Sequence, residues 1–246
     1  MKLAINTPIY QRFHITTLFL KYYHDILKPS LKAAGINPIL FLAGNLEDLY
    51  TLSPELLYDI HFLNMPNVLG LKKNIMLTRS FELGVDFVCT IDSDDFFSSE
   101  LILKLITLAE KNKHWSSVEN FAFYNTADQN FYEFLGYSNR HPLYKAGMGS
   151  GRVFSRYLVS LLGEAPFKQN VNRGMDASIQ HFLSSLRIAS PDRLVNIDKN
   201  LPIGLKSHEN IWSFDSYKTS PLAKEDPKVS WLPSCYYAPT KISQTP

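Results

Sequence analysis

The sequence predicts an α/β fold, with a mixed sheet flanked by helices in a single domain followed by a C-terminal tail. Three observations carry this expectation. Apolar, strand-like runs alternate with helix-length amphipathic segments through the first 97 residues, the pattern of a parallel sheet covered on both faces. One of those runs, "FVCTIDSDDFF", ends on a cluster of carboxylates. Beyond residue 98 the texture becomes aromatic and alternating, as antiparallel strands require.

Taken in order, "LAINTPI" at residues 3–9 is a buried strand broken by Pro8. Thr16 to Ala34 then carries apolar residues at helical spacing until "GINP" stops it. "PILFLAGN" is a second strand. "SPELLYDIHFL" reads as a helix with Ser53 as cap and Pro54 in its first turn, and "LKKNIMLTRSFELG" as another that ends at Gly84. "VDFVCTID" is the third strong strand, so residues 1–97 read as a nucleotide-binding half, with 98–215 the rest of the domain. "SELILKLITLAEKN" is a helix capped by Ser98 or Ser99, with lysines near its end to suit the dipole. "NFAFYNTADQNFYEFLGY" is a hairpin added to the sheet, turning near Asp128 to Asn130. "AGMGSGRVFSRYLVSLL" is a glycine-rich loop leading into a helix, and "NRGMDASIQHFLSSL" a short helix opened by Gly174. Residues 216–246 form a tail or lid, in which Trp231, Tyr236 and Tyr237 offer amphipathic surfaces for covering a bound ligand.

Composition limits the function classes. With 246 residues, 45% hydrophobic and 20% charged, the chain is long enough to bury a full core. Twenty-five basic and 23 acidic residues leave a net charge of +2, too little for bulk attraction to nucleic acid or an anionic membrane. Any polyanion must be gripped locally. Cys89 and Cys235 share no close spacing with each other or with His pairs, so neither a zinc site nor a disulfide framework is indicated. A reducing, cytoplasmic setting is expected. "MKLAINTPIYQRF" turns polar too soon for a signal peptide, and no run approaches the ~18 apolar residues of a membrane span.

Ligands of open α/β sheets bind outside the carboxyl ends of the strands, which is where "IDSDD" falls. Asp92 and Asp94, one residue apart, are able to approach a single hard cation together. Mg²⁺ and Mn²⁺ favour such oxygen donors, with substrate phosphates completing the shell. The alternative is a solvated turn that caps the following helix. Lys72 and Arg79 lie seven residues apart on nearly one helical face, either as partners of a diphosphate or as a solvated surface. Lys206 and His208, two residues apart, share one side of a strand.

These residues carry a resemblance. "IDSDD" after a strand, preceded by a helix ending in Gly, resembles the D-x-D segment of family 2 glycosyltransferases with the GT-A fold. "INTPIYQR" looks like that family's first strand, "NRGMDASIQHFL" its acidic helix, and "GLKSHENIWSF" its late strand, over roughly residues 3–215. The resemblance implies metal-dependent transfer of a sugar from a nucleoside diphosphate, with UDP as the expected carrier and Mn²⁺ or Mg²⁺ as the ion. Asp92, Asp94 and His208 would form the metal site, and Asp176 would be the base of an inverting displacement. Thr7, Pro8, Tyr10, Asn45, Lys72, Arg79, Ser93 and Lys206 would meet the nucleotide sugar. Met148, Gly149 and Trp212 would meet the acceptor, which is a glycan, a peptide, a lipid-linked group or a modified nucleobase. Two positions depart from the family: Ala43 and Gly44 stand where an Asp reads the base, leaving Asn45 or Glu47 as substitutes, and Met175 precedes a lone Asp176. An ordinary first-turn Asp that favours the helix dipole is the plainer account of Asp176. A sugar nucleotidyltransferase and a non-catalytic sugar-binding module are the competing functions.

Overall fold

The computed structural model describes residues 1–112, 114–141, 144, 147–163, 165–188, 192–194, 200–207, 223–225 and 229–237. Strand β1 (Lys2–Pro8) is buried at every position after Lys2, which is why it reads as one apolar run. Helices α1 (Phe13–Tyr22) and α2 (Lys28–Ala33) are joined by a π-helical turn at Tyr23–Leu27 into one helical segment. The wider turn lies where Pro29, lacking an N–H, removes the bond to the carbonyl of Asp25. Strand β2 (Asn37–Gly44) leads into the short α3 (Leu46–Tyr50).

The expected helix in "SPELLYDIHFL" does not form. Pro54–Leu56 makes a single 3₁₀ turn, and Ile60–Asn64 is instead strand β3, parallel to β2. A short half-buried edge segment carries too few residues to separate helical from strand periodicity, and pairing with β2 decides the matter. Helix α4 (Leu69–Glu82), strand β4 (Phe87–Thr90), the two-residue β5 (Asp95–Phe96) and helix α5 (Ser99–Asn112) follow. Ser98 is the residue that caps α5, its Oγ accepting from the N–H of Leu101 at 3.2 Å. Beyond α5 come β6 (Trp115–Val118) and the hairpin β7 (Phe121–Asn125) with β8 (Asn130–Phe134). They are followed by β9 (Arg152–Ser155), α6 (Arg156–Leu162) and α7 (Met175–Ser185), and the chain adds β10 (Asp192–Leu194), β11 (Ile203–Lys206) and β12 (Ala223–Glu225).

Two sheets result. The first has the order β10-β6-β9-β4-β1-β2-β3, with β1 to β4 mutually parallel and β9 antiparallel to both β4 and β6. The second has the order β12-β8-β7-β11-β5, so the hairpin joins this sheet and is not added to the first. Leu3 and Ile5 pack into the apolar layer shared with α1, α5 and the second sheet, while Ala4 faces the layer under α4, α6 and α7. Alternation along β1 therefore serves two cores.

The connection between β4 and β5 carries the chain from one sheet to the other, and the "DSD" residues sit on it. The N–H of Leu205 on β11 donates to the carbonyl of Asp94 at 2.7 Å, which ties the acidic loop to the second sheet. Trp231 Nε1 donates to the carbonyl of Leu201 at 2.8 Å, and the rings of Trp231 and Tyr236 meet Tyr22 edge-on. Tyr237 meets Tyr124 and Phe131 in the same way, so these tail aromatics pack on the core.

Candidate active site

The loop of residues 147–151 wraps the carboxyl end of β4. Gly151 N–H donates to the carbonyl of Thr90 at 2.6 Å, Thr90 Oγ1 donates to that of Gly149 at 3.0 Å, and Asp92 N–H donates to Ser150 Oγ at 3.1 Å. The glycine-rich segment is thus a brace for the acidic loop.

Three basic side chains converge on two of its carboxylates. Lys73 Nζ lies 3.3 Å from Asp92 Oδ1, and Asp94 Oδ2 lies 3.0 Å from Arg12 Nη1 and 3.4 Å from Lys206 Nζ. The Asp92 side chain is 37% exposed and faces solvent, whereas Asp94 is buried. Burial favours the neutral acid at Asp94, but Arg12 and Lys206 outweigh it and hold the carboxyl below its usual range. Asp94 in turn raises the Arg12 guanidinium. Asp95 is pushed the other way, first by burial and then by the charge of Asp94. Its Oδ1 faces Gly204, where a Cβ would come within 2.8 Å, so Asp95 shapes the junction with β11.

Two cavities adjoin this cluster. One, of about 380 Å³, is bounded by Pro8, Tyr10, Asn67, Lys72, Asp92 and Arg173. The other, of about 200 Å³, brings Asp92, Asp94, Lys206, Met148, Gly149 and Asp176 to one wall system and shares Arg12, Asp92 and Arg173 with the first. A larger hollow of about 890 Å³ lies beside Met1, Asp86, His114 and Arg156, at the opposite ends of β1 and β4. It contains none of the acidic cluster, and the carboxyl-end location carries more weight in a parallel sheet.

Lys72 Nζ donates to the carbonyl of Ile9 at 2.6 Å and to Asn67 Oδ1 at 2.8 Å, and stands 5.8 Å from the Tyr10 ring centre. Burial pulls this ammonium down to about 8, with Asp48 opposing. Asp176 occupies the first turn of α7 behind Gly174, whose φ of +74° belongs to the left-handed region. Its Oδ1 lies 3.5 Å from Arg152 Nη1. A Cβ on Gly149 would overlap the Asp176 carboxylate, so only glycine permits this approach.

The structure therefore gathers Pro8, Tyr10, Lys72, Asp92, Asp94, Met148, Gly149, Asp176 and Lys206 around the two cavities. It does not gather the rest of the expected set. Arg79 pairs with Glu82 at 2.6 Å on the exposed surface. Seven residues of helix carry it about 10 Å along the axis from Lys72, so it shares the face but not the height. Asn45 Oδ1 accepts from Asp48 N–H at 2.7 Å and caps α3. Thr7 and Ser93 are fully buried and line neither cavity. His208 and Trp212 lie outside the described residues.

Arg12, Lys73, Arg152 and Arg173 were not singled out by sequence. Lys73 follows Lys72 at about 100° on the helix, and only the proximity of β4 turns that face toward Asp92. The position of Arg173, two residues before Met175 and three before Asp176, was the one local signal available.

Asp92 and Asp94 are the residues able to hold a divalent cation. Their donors are oxygen, as Mg²⁺ and Mn²⁺ prefer, but nitrogens of Lys73, Arg12 and Lys206 stand 3.0 to 3.4 Å from these carboxylates, so a cation would have to share or displace those ion pairs. Among the described residues no group of three His, Cys, Asp or Glu side chains is arranged for a metal, so further ligands would come from phosphate oxygens or from outside those residues.

The six parallel strands of the first sheet, the antiparallel β9 among them and the acidic crossover between two sheets define a GT-A-type fold. Solved structures with this architecture include S. aureus TarS residues 1–349 in complex with UDP-GlcNAc, at 12% identity and a TM-score of 0.53, covering 85% of this chain and 60% of that one. The catalytic domain of Drosophila β1,4-galactosyltransferase 7, in complex with xylobiose, matches at 12% identity and a TM-score of 0.53, covering 82% of this chain and 69% of that one. Against the longer TarS structure the chain spans 37% of the length. The sequence matches no protein-family model and no curated protein.

Proposed function

We propose that the chain is a glycosyltransferase that moves a sugar from a nucleoside diphosphate, with UDP as the carrier, to an acceptor nucleophile. The observation that supports this best is the shared cavity system. Asp92 and Asp94, five basic side chains and a separate carboxylate, Asp176, line one space at the carboxyl end of a parallel sheet. The neighbours that share the fold include one crystallised with UDP-GlcNAc and one with UDP.

In this reading the nucleoside lies against Tyr10 and Pro8 in the larger cavity, with Lys72 and Asn67 at its inner wall. The diphosphate reaches Asp92, where Arg12, Lys73, Arg173 and Lys206 supply positive charge. Mn²⁺ or Mg²⁺ on Asp92 and Asp94, with His208 as a further ligand, would act as a Lewis acid on the departing diphosphate. Asp176, across the smaller cavity, takes the proton from the acceptor O–H as that oxygen attacks the anomeric carbon. The bond from that carbon to the diphosphate oxygen breaks, and the anomeric configuration inverts. Met148 and Gly149 form the wall next to Asp176, the expected place for the acceptor.

The deciding test is a donor panel assayed for metal-dependent hydrolysis of nucleotide sugars. Release of UDP supports sugar transfer. Release of pyrophosphate from UTP incubated with a sugar 1-phosphate would establish nucleotidyl transfer instead, and binding without turnover would establish a sugar-binding module.

A further inference from the structure

Arg152 is one of the most deeply buried charged side chains of the described chain, at 1% exposure. Its position on β9 faces it into the layer that holds Trp115, and its guanidinium carbon lies 5.4 Å from the Trp115 ring centre. Removing a guanidinium from water costs several kcal/mol unless charged or polar partners compensate. Two of its polar partners belong to the acceptor side of the cavity. Nη1 lies 3.5 Å from Asp176 Oδ1, and Nη2 donates to the carbonyl of Gly147 at 3.4 Å. Gly147 begins the loop whose Gly149 leaves room for the Asp176 carboxylate. One planar fork therefore touches both the carboxylate and the loop of residues 147–151. An ammonium on a flexible stem would fix that geometry less well.

We propose that Arg152 is a positioning residue for Asp176: from inside the core it sets the carboxylate over Gly149, in the orientation that meets the acceptor's proton. It touches neither donor nor acceptor, since it lines neither cavity. This inference rests on the assignment of Asp176 as base.

The test uses the full chain and the donor hydrolysed fastest in the panel, with water as acceptor. Arg152→Met should lower kcat by at least about 10-fold, within the ~10²–10⁴ attributable to a general base, while UDP affinity measured by calorimetry stays unchanged. Arg152→Lys should recover part of the loss. In an Asp176→Asn background, Arg152→Met should cost nothing more, because no base remains to be positioned. An equal factor in both backgrounds, or a fall in UDP affinity in step with kcat, overturns the proposal in favour of a structural role. If Arg152→Met does not fold, Gly149→Ala displaces the carboxylate while leaving Arg152 in place. It should lower kcat in the wild-type background and not in Asp176→Asn, and full activity of Gly149→Ala overturns the proposal. Full activity of Asp176→Asn alone refutes the base assignment itself, without reference to Arg152.

Discussion

Arg12 Nη1 lies 3.0 Å from Asp94 Oδ2, joining the loop after β1 to the acidic crossover that links the two sheets. With Lys206 on the same oxygen at 3.4 Å, Asp94 is a buried hub and not a surface loop residue. Asp92, by contrast, keeps a solvent-facing carboxylate. The two aspartates should separate in a stability measurement. Asp94→Ala leaves two largely buried cations without their carboxylate and should cost about 3 kcal/mol in denaturant unfolding. Asp92→Ala removes one half-exposed carboxylate from one buried ammonium, Lys73, and should cost less, about 1–2 kcal/mol. Both should lose metal-dependent UDP binding, and chelation with EDTA should reproduce that loss in the wild type. Equal stability of the two variants would contradict the buried hub.

Asp176→Asn should leave UDP binding nearly intact, because Asp176 contacts neither Asp92 nor Asp94. Turnover should fall by about 10²-fold or more, as loss of a general base does. A helix-dipole role would instead cost ~0.3–1 kcal/mol of stability and spare activity. The stereochemistry reads the mechanism independently: an α-configured donor should give a β-linked product by NMR, and a retained configuration rejects single displacement.

Lys72 gives the donor site a pH dependence. Its folded value of about 8 lies below the ordinary 10.5, so the cost of carrying the charge is present in full below pH 8. Stability from this group therefore rises as pH climbs from about 8 toward 10.5, where the unfolded chain holds the proton and the folded chain does not. UDP binding runs the opposite way, because in the folded protein the ammonium at the cavity is lost as pH passes about 8. Titration calorimetry should show affinity weakening several-fold between about pH 7 and pH 9, and Lys72→Arg, which stays charged, should flatten the profile. Parallel curves for the two proteins would assign the effect to other groups.

The aromatic tail residues should act on stability more than on turnover. Trp231 bonds Leu201 and packs on Tyr22, and it lines neither cavity. Trp231→Ala should cost about 2 kcal/mol, less than a fully buried tryptophan, with turnover at low temperature preserved. A variant of unchanged Tm that loses turnover would favour the lid.

The sequence alone determined the elements whose signal is local. Long runs such as β1, β2, β4 and α5 declare themselves through periodicity and capping, and the three aspartates after β4 point to the candidate site through position in a parallel sheet. The left-handed Gly174 likewise opened α7 as read. Tertiary structure decided what depends on partners far along the chain. Residues 60–64 became a strand because β2 offered an edge, and β7 and β8 formed a second sheet because β11, about 80 residues later, pairs with β7. The basic partners of the acidic loop come from residues 12, 73 and 206, and their convergence follows from where β1, α4 and β11 end in space. Arg79 shows the limit in the other direction: helical phase is encoded locally and placed it beside Lys72, but its height above the cleft is set by how α4 packs on the sheet.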